Sequence, residues 1–355
     1  MAHEVPQAGS EHKPKLISMI HPHGVEEASL LCKYMYHGFR FDVLASSKDE
    51  DHPEGYDFDQ SIEGKLLLEY EDLTIGTPTD EKDKKLYEIR DALADLESNA
   101  CFPFMQKMAP SSPLPKPRTL EEELYPPTYA LQVLTKGGQL SAHVIDYKSP
   151  EGYPALSEQE FIALGIETTI YRPSEVTLIS RLQGRVWKVE VGGEPMICKI
   201  SMTDNFGPTL ANELGVYRKV NQLGNESKFP RMKGVVKSHM GVIAILLSYI
   251  PHKYHSLRMI LHHTKDGLLP KTEATTAMRT KWAYQIMRSV EQLHEVGILW
   301  RDVKTDNVLI DDEGDAVVLD FGGGNTVGWV DANKYGTLEG DIQGLEKIMA
   351  HLKEE

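Results

Sequence analysis

Within residues 300–322 the sequence gathers side chains suited to phosphate and hard cations. Trp300-Arg301-Asp302-Val303-Lys304-Thr305-Asp306-Asn307 sets a carboxylate, an ammonium and a carboxamide within six positions, and Asp320-Phe321-Gly322 follows thirteen residues after Asn307. Carboxylate and amide oxygens are hard ligands that suit octahedral Mg²⁺. Upstream, Lys199 stands in an apolar stretch, and Glu213 follows fourteen residues later. A lysine on a strand and a glutamate on the next helix can pair. Taken alone, each is an ordinary surface charge, and the 300–322 cluster gives the pair its interest.

These residues need elements to hold them. Residues 277–296 form an amphipathic helix, with Trp282, Ile286, Val290 and Leu293 on one side and Gly297 as its stop. The tight segment 298–310 follows, and a turn over 311–315 returns a second strand that ends at Gly322. Before Lys199, strands over 176–180, 186–191 and 195–200 are separated by a turn at Gly184 and another at Gly192-Gly193. Alternation puts Cys198 on the face opposite Lys199. Glu213 lies in a helical stretch, 210–217. The uninterrupted apolar run 242–247 reads as a buried strand leading into Ser248-Tyr249-Ile250-Pro251. Asp341 begins a last helix, with Ile342, Leu345, Ile348, Met349 and Leu352 on its apolar stripe.

On these residues the chain resembles the protein-kinase superfamily. The family's H-R-D-x-K-x-x-N reads W-R-D-V-K-T-D-N here, and D-F-G is intact. The resemblance implies an α+β, two-lobed kinase-like fold that binds ATP and Mg²⁺. It implies that Asp302 faces the attacking hydroxyl, that Lys304 faces the transferring phosphoryl group, and that Asn307 and Asp320 hold the metal. By the same resemblance Lys199 and Glu213 pair at the α/β-phosphates, and Gly184 belongs to the loop over the phosphates. Leu247 is the gatekeeper, and the backbone of Ser248, Tyr249 and Ile250 meets adenine. Asp341 anchors the catalytic loop by accepting hydrogen bonds near Trp300 and Arg301, the alternative being a helix cap.

Four departures qualify the resemblance. One glycine, Gly184, stands where the family has three, and Trp300 replaces the loop histidine. Only 20 residues separate Asp320 from Asp341, with no A-P-E motif. One helix follows, so the expected C-lobe is minimal and lacks a peptide-docking platform. A small-molecule acceptor therefore fits better than a protein. The segments Gly-Gly-Gly-Asn-Thr-x-Gly-Trp-Val-Asp and Glu-Gly-Asp-x-Gln-Gly-Leu resemble kinase-like proteins of filamentous fungi. The leading reading is an ATP-dependent phosphotransferase. Its alternatives are a pseudokinase scaffold and a kinase fold recruited to nucleotidyl or aminoacyl transfer, such as aminoacyl-tRNA-dependent cyclodipeptide synthesis.

The remaining sequence sets bounds on the whole chain. Of its 355 residues, 41% are hydrophobic and 26% charged, as in globular proteins. Three scattered cysteines (Cys32, Cys101, Cys198) make neither a disulfide framework nor a zinc site. No signal peptide or membrane span is expected, and a reduced cytoplasmic setting follows. The net charge is −15, with 26 acidic against 15 basic residues in 1–150. That balance disfavours nucleic acid as a partner, tRNA being the one kept open. It carries no reading of oligomeric state.

Residues 1–118 read as an acidic α+β extension: a polar start over 1–15, then strand-like stretches from Leu16 to about Leu73 interrupted by an acidic loop over 48–59. A helix with Leu86, Ile89, Leu93 and Leu96 follows, and a linker over 103–117 carries five prolines. A connector, 119–175, holds a hairpin around Lys136-Gly137-Gly138. The N-lobe covers 176–250 and the C-lobe 251–355.

Overall fold

The computed structural model describes residues 14–20, 29–46, 52–74, 80–109, 118–146, 155–201, 210–224, 228–252, 256–265, 274–321, 323–324 and 326–353. The chain divides into two compact units, Met1–Glu151 and Gly152–Glu355.

In the first unit, β1 (Lys15–Ile20), β2 (Ser29–Tyr36) and β3 (Phe39–Ser46) form an antiparallel meander. The helices α1 (Ile62–Thr74) and α2 (Asp80–Met108) follow. The strand-like stretches expected to reach Leu73 therefore end at Ser46, and α1 takes the rest. Leu66, Leu67, Tyr70 and Leu73 recur at helical spacing and pack into the unit's core. Ser61 Oγ accepts from Gly64 N–H at 2.8 Å at the start of α1.

Along α2, Ile89, Leu93, Cys101 and Met105 are buried. Pro103 lies inside this helix rather than opening a linker. A mid-helix proline removes one hydrogen bond, but Cys101 and Met105 on either side are both sealed in the core, and the helix continues. Residues 110–117 of the expected linker lie outside the described residues, as do 1–13 of the polar start and 48–51 of the acidic loop.

Next comes the short helix α3 (Leu120–Leu124), opened by a capping box between Thr119 and Glu122. The hairpin expected in a connector adds β4 (Thr128–Lys136) and β5 (Gln139–Val144) to the first sheet, giving the order β1-β2-β3-β4-β5. β4 runs parallel to β3, with Val43 opposite Leu131.

The second unit opens with α4 (Glu158–Ala163), capped by Ser157, and β6 (Thr169–Tyr171). Three antiparallel strands follow: β7 (Thr177–Gln183), β8 (Val186–Val191) and β9 (Glu194–Ile200). After α5 (Leu210–Gln222) come β10 (Met232–Ser238) and β11 (Gly241–Ser248). They complete a six-stranded sheet in the order β6-β10-β11-β9-β8-β7, so a strand upstream of residue 176 also belongs to it.

The helical part holds α6 (Leu257–Lys265), α7 (Thr276–Glu295), the two-stranded pair β12 (Val308–Ile310) and β13 (Ala316–Val318), and α8 (Leu338–Lys353). Trp282, Ile286, Val290 and Leu293, the expected stripe of α7, are all buried. They share one core with Leu214 of α5, Leu247 of β11, Trp300 and Ile348 of α8. Among the described residues no helix is long and apolar enough to cross a membrane.

Candidate active site

The loop between α7 and β12 is held from below by α8. Asp341 accepts from Trp300 N–H through Oδ2 and from Arg301 N–H through Oδ1, both at 2.7 Å, and His294 Nε2 lies 2.8 Å from Oδ2. The carboxylate is 1% exposed. It is the anchor of the loop rather than a cap, because α8 begins at Leu338 and Thr337 Oγ1 accepts from Gly340 N–H at 3.1 Å. Arg301 has φ 69°, in the left-handed region that costs a non-glycine residue roughly 1–2 kcal/mol, and the bond to Asp341 holds it there. Trp300 is fully buried and donates its indole N–H to Leu319 O at 2.9 Å. It fills the interior at the position where the family's loop carries histidine.

α8 also approaches the loop at Gly344. A Cβ added there would meet the Val303 Cβ at 2.5 Å. Val303 lies between Asp302 and Lys304, so helix and loop are fitted closely at the residues that matter.

Above this support, Asp302 collects a compact set of bonds. Lys304 Nζ donates to Asp302 Oδ2 at 2.6 Å, and Asn307 Nδ2 donates to Asp302 Oδ2 and its carbonyl, each at 2.9 Å. Thr326 Oγ1 donates to Asp302 Oδ1 at 2.7 Å and accepts from Lys304 Nζ at 2.6 Å. Charge-assisted bonds of this length are strong and fix rotamers. The sequence reading assigned nothing to Thr326. Its only signal there is a hydroxyl in a glycine-rich segment, and the fold alone brings it to Asp302. Gly322 and Asn325 of that segment lie outside the described residues.

A second cluster forms around Lys199. Lys199 of β9 places Nζ 2.8 Å from Glu213 Oε1 of α5 and 2.6 Å from Asp320 Oδ1. Burial pulls the ammonium pKa down, but the Asp320 and Glu213 carboxylates outweigh it, and the net shift is upward. Lys199 is therefore a fixed positive charge. Cys198 points into the interior, fully buried, and burial pushes its thiol up to about 12. Asp320 has φ 54°. Its neighbour Phe321 is buried against Tyr217, one turn after Glu213 on α5, and against Phe229, with ring centroids 5.1 and 5.7 Å away. Phe321 thus packs directly on the helix that carries Glu213.

Asn307 and Asp320 fit a divalent cation. Asn307 spends its amide N–H₂ on Asp302, and its amide oxygen takes no protein hydrogen bond among the described residues. Asp320 already faces one cation, the Lys199 ammonium. Asp311, Glu313 and Asp315 also gather within 4.8 Å of one another. There Lys228 sits among all three at 2.7, 2.5 and 2.8 Å, so a side chain already compensates the charge.

Gly184 is an exposed turn between β7 and β8, with φ 50° and no atom within 4 Å of an added Cβ. It precedes by two residues Val186, which pairs with Lys199 across the strands. Leu247 is buried opposite Ile197. Two of the hinge groups expected to face adenine are already engaged. Ser248 N–H donates to Arg231 O at 2.8 Å, and His252 Nδ1 lies 2.7 Å from Ile250 O. The Tyr249 ring lies 3.9 Å from the Lys188 ammonium, a cation–π contact at the same strand edge.

Residues 200–337 match the family model of the protein kinase domain. The serine/threonine-protein kinase PKH3 of Eremothecium gossypii is 32% identical over 104 residues, 28% of this chain and 14% of that one. Cyclin-dependent kinase 11A of Homo sapiens is 38% identical over 88 residues, 25% of this chain and 10% of that one. Testis-specific serine/threonine-protein kinase 5 of Mus musculus is 42% identical over 59 residues, 17% and 15% of the two chains. The chain thus spans less than a sixth of the length of each of these relatives. The matched segment covers the strand lysine's neighbour, α5, the loop of Asp302 and the Asp320 turn, so over those residues the second unit is protein-kinase-like in sequence and fold.

Proposed function

We propose that the protein is an ATP- and Mg²⁺-dependent phosphotransferase that acts on the hydroxyl of a small molecule. The observation that carries this reading is the convergence on Lys199: Glu213 and Asp320 hold its ammonium from two sides, while Lys304 and Thr326 hold Asp302. An immobilised ammonium suits the phosphate oxygens of a nucleotide, and a fixed carboxylate suits an incoming hydroxyl.

In this mechanism Lys199 binds the α/β-phosphate oxygens and Asp302 accepts the proton of the acceptor hydroxyl. Lys304 lies 2.6 Å from Asp302, placed to offset charge on the transferring group. Thr326 keeps Asp302 and Lys304 in register with each other. Asn307 and Asp320 are the groups that would hold Mg²⁺, which when bound neutralises the β- and γ-phosphate oxygens. The small-molecule acceptor is favoured by the short segment between Asp320 and Asp341, 20 residues that leave little chain to cradle a peptide.

Thermal melting with Mg-ATP tests the nucleotide site. At a hundredfold over Kd the ligand should add about 2.7 kcal/mol of stability, and Lys199→Ala should remove most of the shift. A melting temperature unmoved by millimolar Mg-ATP would sink the reading.

A further inference from the structure

A cavity of about 390 Å³ opens beside the Asp302 cluster. Two of its wall residues are chain neighbours of that cluster: Thr305 follows Lys304, and Val327 follows Thr326. The volume lies in the lower part of the range, roughly 300–1,000 Å³, that small-ligand sites occupy.

Its lining is basic in an acidic protein. Arg258 and Lys347 face it together with one carboxylate, Asp306, although the chain carries a net −15. Arg258 Nη1 sits 3.1 Å from Asp306 Oδ1, whereas Lys347 Nζ donates to the Gly328 carbonyl at 2.9 Å. Lys347 thus hydrogen-bonds a neutral oxygen, and the Asp331 carboxylate feels its charge without an ion pair at contact distance. The remaining wall sets the apolar Leu261, Val327 and Trp329 beside Thr305, Gly328 and His351. Trp329 is half-buried, with its ring 5.6 Å from that of His351, and Val327 is 90% exposed among the described residues.

We propose that this cavity receives the acceptor, and that the acceptor is a small organic anion. Its carboxylate or phosphate lies against Lys347 and Arg258, its apolar or aromatic body covers Val327 and Trp329, and its hydroxyl reaches Asp302. The proposal rests on the phosphotransferase reading above and names its substrate class. In the reaction, the acceptor oxygen bonds to the γ-phosphorus as the bond from that phosphorus to the β,γ-bridging oxygen breaks. ADP leaves with that electron pair, and the hydroxyl proton passes to Asp302 and then to solvent. The product is a phosphate monoester.

The test follows ADP formation with a panel of hydroxyl-bearing aromatic acids, headed by 4-(hydroxymethyl)benzoic acid, each against its own amide. A phosphate arm uses 4-(hydroxymethyl)phenyl phosphate, and a serine-containing acidic peptide serves as the macromolecular comparison. Anionic acceptors should exceed their amides about tenfold in kcat/KM, the size of one charge-assisted bond. The acid and phosphate arms show which anion is preferred. Lys347→Gln and Arg258→Gln should each erode the preference, and Lys347→Glu should reverse it in favour of 4-(hydroxymethyl)benzylamine.

Equal use of acids and amides, or use of neither, overturns the proposal. So does a preference that survives both glutamine variants, or an acidic peptide used better than every small acid. If these results come from protein that Mg-ATP stabilises, only the acceptor assignment fails. If Mg-ATP gives no stabilisation, the phosphotransferase reading fails first and takes this one with it.

Discussion

At the scale of single residues, Asp341 decides whether the loop of Asp302 can exist. It is buried and takes bonds from two backbone N–H groups, with His294 beside it. Asp341→Ala leaves those donors buried and unpaired. The expected loss is about 3 kcal/mol, against about 1 kcal/mol for a simple helix cap. Denaturant melts read the difference directly, and a loss near the smaller figure would return Asp341 to the role of a cap.

Glu97 makes a second residue-scale case. It is buried in the first unit, where burial pushes its carboxyl up to about 8, partly offset by bonds from Cys32 and Tyr34. Its ordinary value is 4.5. Between those two values the folded chain holds a proton that the unfolded chain has released. Stability contributed by Glu97 is therefore full below about 4.5 and is lost as pH rises through about 8, by up to about 1.4 kcal/mol per pH unit. Glu97→Gln keeps the shape without the proton equilibrium. Melts of the first unit's transition at pH 5 and pH 8 should show wild type falling relative to Glu97→Gln, and parallel curves would contradict the assignment.

At the scale of elements, the fit of α8 to the catalytic loop is the sensitive joint. Gly344→Ala gains up to about 1 kcal/mol of helix propensity. It also drives a Cβ to 2.5 Å from the Val303 Cβ and 3.1 Å from the Val303 carbonyl. Overpacking of this kind costs about 1–3 kcal/mol. The loop yields by moving Asp302 and Lys304, so kcat should fall about 10–100-fold. A variant with unchanged kcat would show that the loop can move without carrying Asp302 along.

Elements also show where sequence reading succeeds and where it stops. Helix α7 and the hairpin of β12 and β13 were legible because their apolar periodicity and turn residues agree with the tertiary packing. The strands β7, β8 and β9 were legible for the same reason, with Cys198 and Lys199 on opposite faces. Helix α1 reads as strand because Leu66, Leu68 and Tyr70 alternate at strand spacing, while Leu66, Tyr70 and Leu73 recur at helical spacing. The continuation of α2 through Pro103 was missed because local proline chemistry was outweighed by burial of Cys101 and Met105. Thr326 and His294 were invisible, since their partners Asp302 and Asp341 lie 24 and 47 positions away.

At the scale of the whole molecule, two separately cored units share one chain, and the residues proposed to carry the chemistry lie in Gly152–Glu355. The first unit contributes a five-stranded sheet with two helices packed against it, and buried polar residues such as Glu63 and Glu97 that serve its own packing. The proposed activity therefore rests on Asp302. The most direct measurement is transfer of label from γ-labelled ATP, with Mg²⁺ and a small-molecule extract, by wild type and by Asp302→Asn. Wild type should yield labelled small molecules, and Asp302→Asn a rate lower by about 10²–10⁴-fold, with the Mg-ATP melting shift retained. Equal labelling by both proteins, or no transfer by wild type that binds Mg-ATP, would contradict that proposal.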